Sequence, residues 1–560
     1  MGMSATIIKP KGNKSQVIMT PMMAQYHKIK AEYANELLFF RMGDFYELFF
    51  EDAIIAAEAL SITLTHRGKH QGADIPMCGV PAHAVDTYLA RLIKGGFRIA
   101  ICEQTESPID AKKRGPKAIV EREVVRLITP GTIIEESLLD AGKPNYLVAI
   151  AAEEKSLGIA WSDISTGKFF TTSVTDDSLE TELSRIGPGE ILISDSLYSQ
   201  FSLSEKLIDF QSILIPQMDR FFDYQTSESR ICEVFKVFSS ESFGSFEQSE
   251  ISAAGAIVEY IRITQKGNLP RLIFPKRKIS GDILSIDSTT RRSLEIIENF
   301  SGDSRASLFS IIDRTITASG TRALSERMAS PLTDPKAIAV RLDSIAWFID
   351  SDAITRNLRE ILRTIPDLSR VLGRISMGRG GPRDLASIRN GLRVIPDIRQ
   401  ELLCTSSALT HVPNEVTELL ENLGDHTKLV NLLKDALVEM PSIMAREGNF
   451  IRRGFNAKLD DFVNLRDEGR AKITELANQY QKENDISSLK IKHNNILGYF
   501  VEVTAGNVEK LGDSFIHRQS LSSSSRYTTV QLSELEQKMS SAGEEALKAE
   551  LKIFDELVEK

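Results

Sequence analysis

The spacing of apolar residues changes character along this chain, and those changes limit what it can fold into. From Thr20 to about residue 272, short apolar runs alternate between strand-like and helix-like spacing. From about Ile279 to residue 484 the spacing is helical, punctuated by Pro331, Pro335 and Gly380-Gly381-Pro382. Residues 485–530 break that register, and helical spacing returns from Leu532 to Lys560. At 560 residues the chain is also too long for one hydrophobic core. The pattern predicts a multidomain protein, α/β at first and mainly α afterwards, with a small β insertion between two long helices. No fixed-period repeat is visible, which excludes a solenoid.

Residues 1–19 are polar and irregular and predict a flexible tail. Thr20 followed by Pro21 is a helix start, an N-cap before an N1 proline. Residues 20–130 are expected to form one α/β domain and residues 131–272 a second. In the second, 146–152, 157–163 and 167–172 read as three consecutive strands, followed by a helix at 179–186 and a strand at 190–194. Amphipathic helices are expected to begin at Thr289 and again near Ser319. Residues 273–469 and 530–560 are expected to be helical. Residues 470–529 should hold the insertion, with strands at 488–493 and 498–503. Residues 546–560 carry no glycine, proline or capping signal, so the chain is expected to be the N-terminal portion of a longer protein.

The formal net charge of -9 argues mildly against a nucleic-acid partner, although DNA responds to the local field. Residues 91–126 carry nine Lys or Arg against five acids, and residues 487–528 carry five against three. Two basic islands on an acidic chain predict contact with nucleic acid at two places; the same charges also fit two solvated faces. Cys78, Cys102, Cys232 and Cys404 are far apart and make no CxxC pair. That argues against a disulfide scaffold or a structural zinc site and fits reduced thiols in a cytoplasm. No apolar run is long enough to span a bilayer and no export signal is visible, so a membrane is not an expected partner.

Gly43-Asp44-Phe45-Tyr46-Glu47-Leu48-Phe49 carries the most chemistry. It follows the apolar run Leu37-Leu38-Phe39-Phe40 and precedes a helical pattern from Glu51, so Phe45 is expected at the mouth of a strand-to-helix turn. An aromatic ring there can wedge into a base stack, and the Glu47 carboxylate two residues on can hydrogen-bond a base edge. The same residues fit a capping box, with Asp44 as N-cap and Glu47 reaching back from N3. Phe45 and Tyr46 would then be first-turn residues packed on a core. Phe39, Phe40, Phe49 and Phe50 read as core in either case.

Arg41-Met42-Gly43-Asp44-Phe45-Tyr46-Glu47-Leu48-Phe49 resembles the Phe-x-Glu mismatch-reading segment of the MutS family of bacterial DNA mismatch repair proteins. Thr20-Pro21-Met22-Met23-Ala24-Gln25-Tyr26, Leu64-Thr65-His66-Arg67-Gly68, Ile75-Pro76-Met77-Cys78-Gly79-Val80-Pro81, Ile101-Cys102-Glu103-Gln104 and Val125-Arg126-Leu127-Ile128-Thr129-Pro130-Gly131-Thr132 resemble other parts of that family's first domain. The likeness runs from about Thr20 to Lys560.

The resemblance implies a mismatch-recognition domain at 20–130, a ribonuclease-H-like connector at 131–272, a helical core and lever at 273–469 and 530–560, and a clamp at 470–529. It implies that Phe45 wedges into duplex DNA at a mispair, that Glu47 hydrogen-bonds the displaced base, and that Met42, Asp44, Arg67 and Met77 line the same groove. Arg67 equally fits a plain phosphate contact, and Met77 a core position. In the clamp it points to Lys490, Lys492, Asn494, Arg518 and Arg526 as backbone contacts, although a serine run, Ser522 to Ser525, replaces the family's usual basic or amide residues before Arg526.

Family members carry an ATPase domain after the lever helices. No stretch here reads GxxxxGK followed by Ser or Thr; Gly12-Asn13-Lys14-Ser15 keeps only the tail of that pattern. This chain is therefore expected to hold no cofactor, metal or catalytic residue. A full-length protein is expected to be a DNA-dependent ATPase using ATP and Mg, a homodimer, and a partner of a MutL-type protein, cytoplasmic and nucleoid-associated when bound to DNA. Three alternatives stay open: a MutS relative acting in recombination, a metal-dependent nuclease through Glu153, Glu154 and Asp163 of the connector, and a structural helical scaffold.

Overall fold

The computed structural model describes residues 20–560 except 71–72, 107, 116–117, 154–155, 202–204, 404–411, 495–496 and 522. The expected tail at 1–19 lies outside the described residues, as do Lys117, Glu154, Cys404 and Ser522. The chain divides into two units. One holds residues up to Thr355 together with Leu372–Gly378, and the other holds Arg356–Val371 and Arg379–Lys560.

The first unit opens as its sequence dictates: the Thr20 hydroxyl accepts the Met23 amide, Pro21 occupies the first turn, and a helix runs Pro21–Glu32. Six strands follow, β1 (Leu37–Met42), β2 (Phe45–Phe49), β3 (Thr65–His70), β4 (Ala73–Pro81), β5 (Ile99–Gln104) and β6 (Arg122–Ile128). They form one sheet in the order β3-β4-β2-β1-β5-β6, with only β1 and β5 parallel. β1 is central and covered on both faces, which explains its continuous apolar run. Leu37 and Phe39 join one core with Leu48, Leu89 and Leu92, and Leu38 and Phe40 join another with Met23, Tyr26 and Phe49. The Tyr26 hydroxyl donates to the Phe49 carbonyl at 3.2 Å. Buried Asp52 accepts the Leu38 amide at 3.0 Å and pairs with Lys30 at 2.8 Å. These buried polar groups are thus partnered.

A second sheet in this unit contains β7 (Tyr146–Glu153), β8 (Ser156–Asp163), β9 (Lys168–Val174), β10 (Pro188–Ser194), β11 (Leu214–Gln217) and β12 (Lys276–Arg277), in the order β11-β10-β7-β8-β9-β12. β7, β8 and β9 form an antiparallel meander, and β10 and β11 extend it in parallel from β7. That order is ribonuclease-H-like, as the resemblance implies. The helix Gln248–Thr264 covers it and is buried almost all round. Gly158 allows that contact: a Cβ there would fall 2.1 Å from the Ser249 carbonyl carbon. Beyond β12, the helix expected from Thr289 is only Ser288–Ser293, because Glu295 adopts a left-handed φ of 48° that no α-helix can continue through. The helix expected near Ser319 runs Ala318–Ala329 with Thr317 as N-cap.

The second unit is helical apart from its insertion. Its two longest helices, Ala457–Glu483 and Val530–Glu559, run antiparallel. At one end the Tyr480 and Thr529 hydroxyls meet at 2.6 Å; at the other, Glu550 accepts the amides of Asn449, Phe450 and Ile451 at 2.7–3.1 Å. Between them β13 (Lys490–Asn494), β14 (Gly498–Thr504), β15 (Ile516–Ser520) and β16 (Ser524–Thr528) form an antiparallel sheet in the order β13-β14-β16-β15. Val501, Val503 and Tyr527 from the sheet share one core with Ile473, Leu476, Tyr480 and Leu532 from the helices.

Candidate nucleic-acid interface

The segment around Phe45 is a β-hairpin, which corrects both readings of it as a helix entry. Met42 pairs with Phe45, Arg41 with Tyr46 and Phe40 with Glu47, leaving Gly43-Asp44 as a two-residue turn. Gly43 takes a φ of 60°, the left-handed value that a tight hairpin turn demands and that glycine adopts freely. The helix begins only at Phe50, so Asp44 is no N-cap; it is exposed in the turn, and its carbonyl accepts the Ala82 amide at 2.8 Å.

Strand alternation then decides which side chains meet. Phe45, Glu47 and Phe49 share one face, and their burial is graded along it. Phe45 at the tip is 48% exposed, Glu47 is partly buried, and Phe49 is fully enclosed. Met42 lies opposite Phe45, and Met77 lies opposite Phe49; both are half-buried and pack on the Tyr26–Phe40–Phe49 core. Gly79 lies opposite Glu47, where a Cβ would stand 3.7 Å from the Glu47 Cγ. Arg67 on β3 is exposed and forms an ion pair with Glu47. Met42, Phe45, Glu47 and Met77 therefore share one face of the sheet, spread along the length of β2, with Arg67 paired to Glu47 and Asp44 in the turn.

Sequence reasoning missed Arg122. It is buried, its guanidinium lies over the Phe40 ring at 4.9 Å, and it donates to the Arg41 carbonyl at 2.7 Å and to Gln25 at 3.0 Å. It braces the hairpin on the face that carries Phe45 and Glu47, and burial holds its pKa below the ordinary arginine value. On the opposite face, Tyr46 donates to Glu103, and Arg41 lies over its ring at 5.0 Å. Burial, with the Glu103 hydrogen bond, pushes the Tyr46 hydroxyl up to about 12. Burial likewise pushes the Cys78 thiol up to about 11 and that of Cys102 up to about 12, so neither is a thiolate nucleophile at neutral pH.

Much of the charge of the 91–126 island is locally balanced. Arg98 pairs with Glu36, Lys113 with Asp110, Arg114 with Glu106 and Glu121, and Arg126 with Glu135. The insertion sheet is different. Its outer face presents Lys490 and Lys492 from β13, and Arg518 is exposed on the edge strand β15. Lys490 and Arg518 make no ion pair among the described residues, whereas Lys492 pairs with Glu502 at 2.6 Å. Arg526 is more engaged than its sequence position suggests: it stacks on Phe500 at 4.5 Å, donates to Gln519 at 2.8 Å and lies 3.8 Å from Glu502. The half-buried Asn494 accepts the Leu497 amide at 2.7 Å.

Of the carboxylates named for the nuclease alternative, Glu153 and Asp163 are described and Glu154 is not. Asp163 is buried, with Oδ1 accepting the Ser165 amide at 3.0 Å and the Ser165 hydroxyl at 2.6 Å, so it closes the turn after β8. Among the described residues no group of three or more His, Cys, Asp or Glu side chains is placed to hold a metal ion. No helix among them is long and apolar enough to cross a membrane.

Three family models match the chain in succession: MutS domain I at residues 20–137, MutS domain II at 145–272 and MutS domain III at 289–560. The chain is 47% identical over 544 residues to the DNA mismatch repair protein MutS of Roseobacter denitrificans and to that of Ruegeria pomeroyi, covering 96% of this chain and 61% of each relative. It is 46% identical over 550 residues to the protein of that name from Nitrobacter hamburgensis, covering 96% of this chain and 60% of the relative. The chain thus spans about three fifths of the length of these curated relatives. With its two α/β sheets, its helical second unit and these matches in order along nearly the whole sequence, the chain belongs to the MutS family.

Proposed function

We propose that this chain is the DNA-reading part of a mismatch repair protein, which finds mispaired or unpaired bases in a duplex. The observation that carries this reading is Phe45: a large aromatic side chain half in solvent at the tip of a braced hairpin, with a carboxylate two residues along the same face. In this reading Phe45 inserts from the minor groove where a mispair makes unstacking and kinking cheap, and that difference in deformation cost supplies discrimination. Glu47 accepts a hydrogen bond from the displaced base. Its pairing with Arg67 keeps a negative charge tolerable near phosphates. The names of the relatives agree with this assignment.

The insertion sheet grips the backbone without reading sequence, chiefly through Lys490 and Arg518. The two long helices then couple that grip to an ATPase in the whole protein. ATP and Mg belong to that whole protein, since no stretch of this chain has the phosphate-cradling pattern. Homodimer formation and a MutL-type partner belong to it as well. A recombination-type relative is disfavoured because the Phe45–Glu47 pair is present. The test is binding of matched and singly mismatched duplexes. A preference for the mismatch that Phe45→Ala abolishes is expected; equal affinity in the unaltered protein ends the reading.

A further inference from the structure

Segments that join domains ordinarily run exposed and bend freely. The one that leaves the first sheet after β6 and enters the connector does neither. Thr129 and the residues 131–134 are buried. Ile133 enters the core of the first sheet, and its neighbour Ile134 enters the core of the connector. A carboxylate lies at the centre of this junction. Glu190 on β10 is 1% exposed and forms no ion pair among the described residues. Its Oε2 accepts the Thr129 hydroxyl and, at 2.9 Å, the Gly131 amide. Its Oε1 accepts the Tyr260 hydroxyl at 2.5 Å, from the helix Gln248–Thr264 that covers the connector sheet. Gly131 admits the carboxylate, since a Cβ there would fall 2.9 Å from Oε2 and 2.8 Å from the Glu190 Cβ. Asn145, at the start of β7, donates to the Pro130 carbonyl at 2.8 Å.

One connector carboxylate thus holds both the chain that leaves the first sheet and the helix that backs the second. Burial and the charge of Glu190 keep the Tyr260 hydroxyl far above its ordinary pKa, so it stays a donor. Hydrogen bonds to a charged acceptor are strong in a dry interior, and a buried polar group that loses its partner bears its full desolvation cost. Rotation of the backbone at 129–131 would pull Thr129 and Gly131 off the carboxylate with no water to replace them. Deflection at this junction is therefore opposed at the point where a hinge would lie. We propose that Glu190 is a positioning residue: by holding Thr129 and Gly131 it locks the first sheet to the connector, so that the hairpin carrying Phe45 is presented at one fixed angle. The use of that angle on mispaired DNA rests on the wedge reading of Phe45; the lock itself does not.

The test measures the distance between nitroxide labels at Glu58→Cys and Gln225→Cys, exposed positions on the helices Phe50–Leu60 and Tyr224–Phe235. Cys232 and Cys404 are replaced by serine, and Cys78 and Cys102 are buried. Without Glu190 changes the chain should give one narrow distance. Glu190→Ala should broaden it or add a second while far-UV circular dichroism stays unchanged. Thr129→Val with Tyr260→Phe removes two of the three donors at nearly constant volume, and it carries the test if Glu190→Ala unfolds the chain. Glu190→Gln should keep the narrow distance, because its carbonyl oxygen can accept from Thr129 and Gly131 while its amide donates to the Tyr260 oxygen. On DNA, the Thr129→Val, Tyr260→Phe chain should lose most of its mismatch preference and keep its matched-duplex affinity. A broad distance in the chain with Glu190, Thr129 and Tyr260 intact, or a narrow one in the folded Glu190→Ala and double variants, overturns the lock. A broadened distance with undiminished mismatch preference overturns the positioning role. If the unaltered chain binds both duplexes alike, the wedge reading fails, and the distances still decide the lock.

Discussion

Phe45→Ala separates a wedge from a core residue, because its expected effects on stability and on binding differ. Truncating a fully buried phenylalanine costs about 3–5 kcal/mol, part of it for the cavity left behind. Phe45 is 48% exposed, so about half of that transfer energy is at stake, and truncation opens onto water instead of an enclosed void. A loss of about 1 kcal/mol follows. Phe49, two residues along the same face and fully enclosed, is the internal comparison: Phe49→Ala should cost about 3–5 kcal/mol. On DNA the order reverses. Removing an aromatic ring that stacks on a base costs about 1–3 kcal/mol, or roughly 5- to 150-fold in Kd. That loss should fall on a mismatched duplex and spare a matched one. Thermal melts and fluorescence anisotropy with both duplexes read the two effects. If Phe45→Ala melts as low as Phe49→Ala, or if both duplexes weaken alike, the ring does not act as a wedge.

Arg67→Ala should change stability by less than about 1 kcal/mol, as its pair with Glu47 is nearly half exposed on the arginine side. It should weaken anisotropy-measured binding to matched and mismatched duplexes alike, and adding Glu47→Gln should restore part of it. Lys490→Ala and Arg518→Ala should each reduce the log-log salt slope of DNA binding by about 0.9, while Lys492→Ala should reduce it less because Glu502 already compensates that charge. Tyr46 titrates near 12 in the folded chain against 10 when unfolded. Between those values the unfolded chain has lost a proton that the folded chain keeps, so stability is complete below pH 10 and falls toward pH 12. Tyr46→Phe should shrink that alkaline slope by one titrating group, read from melts across the same window.

The α/β-then-helical order and the connector strands were legible because they depend on local runs: 146–152 and 157–163 are long and apolar, and β7 and β8 reproduce them to within a residue. The hairpin was not. Asp44 and Glu47 satisfy the spacing of a capping box, and only the left-handed Gly43 with its cross-strand pairing decides for a turn. The helix from Thr289 failed for a similar reason, since the backbone reversal at Glu295 leaves no signature in hydrophobic spacing. Arg122 was invisible because the groups it holds, Gln25 and the Arg41 carbonyl, lie 97 and 81 residues away. Arg526 was legible as a cation but not as one already occupied by Phe500, Gln519 and Glu502, contacts that exist only after three strands pair.

The core that the insertion sheet shares with its two supporting helices has a mechanical consequence. Val501, Val503 and Tyr527 are wedged among Ile473, Tyr480 and Leu532, so the sheet has no hinge of its own and must follow the helix axes. At 1.5 Å per residue the 27-residue Ala457–Glu483 helix is about 40 Å long, so a rotation of about 5° at its base sweeps the sheet through about 3.5 Å. That arc exceeds the tolerance of a hydrogen bond to a phosphate. On the proposed reading of this sheet as a backbone grip, small angular changes far from it would be geared into making or releasing that hold.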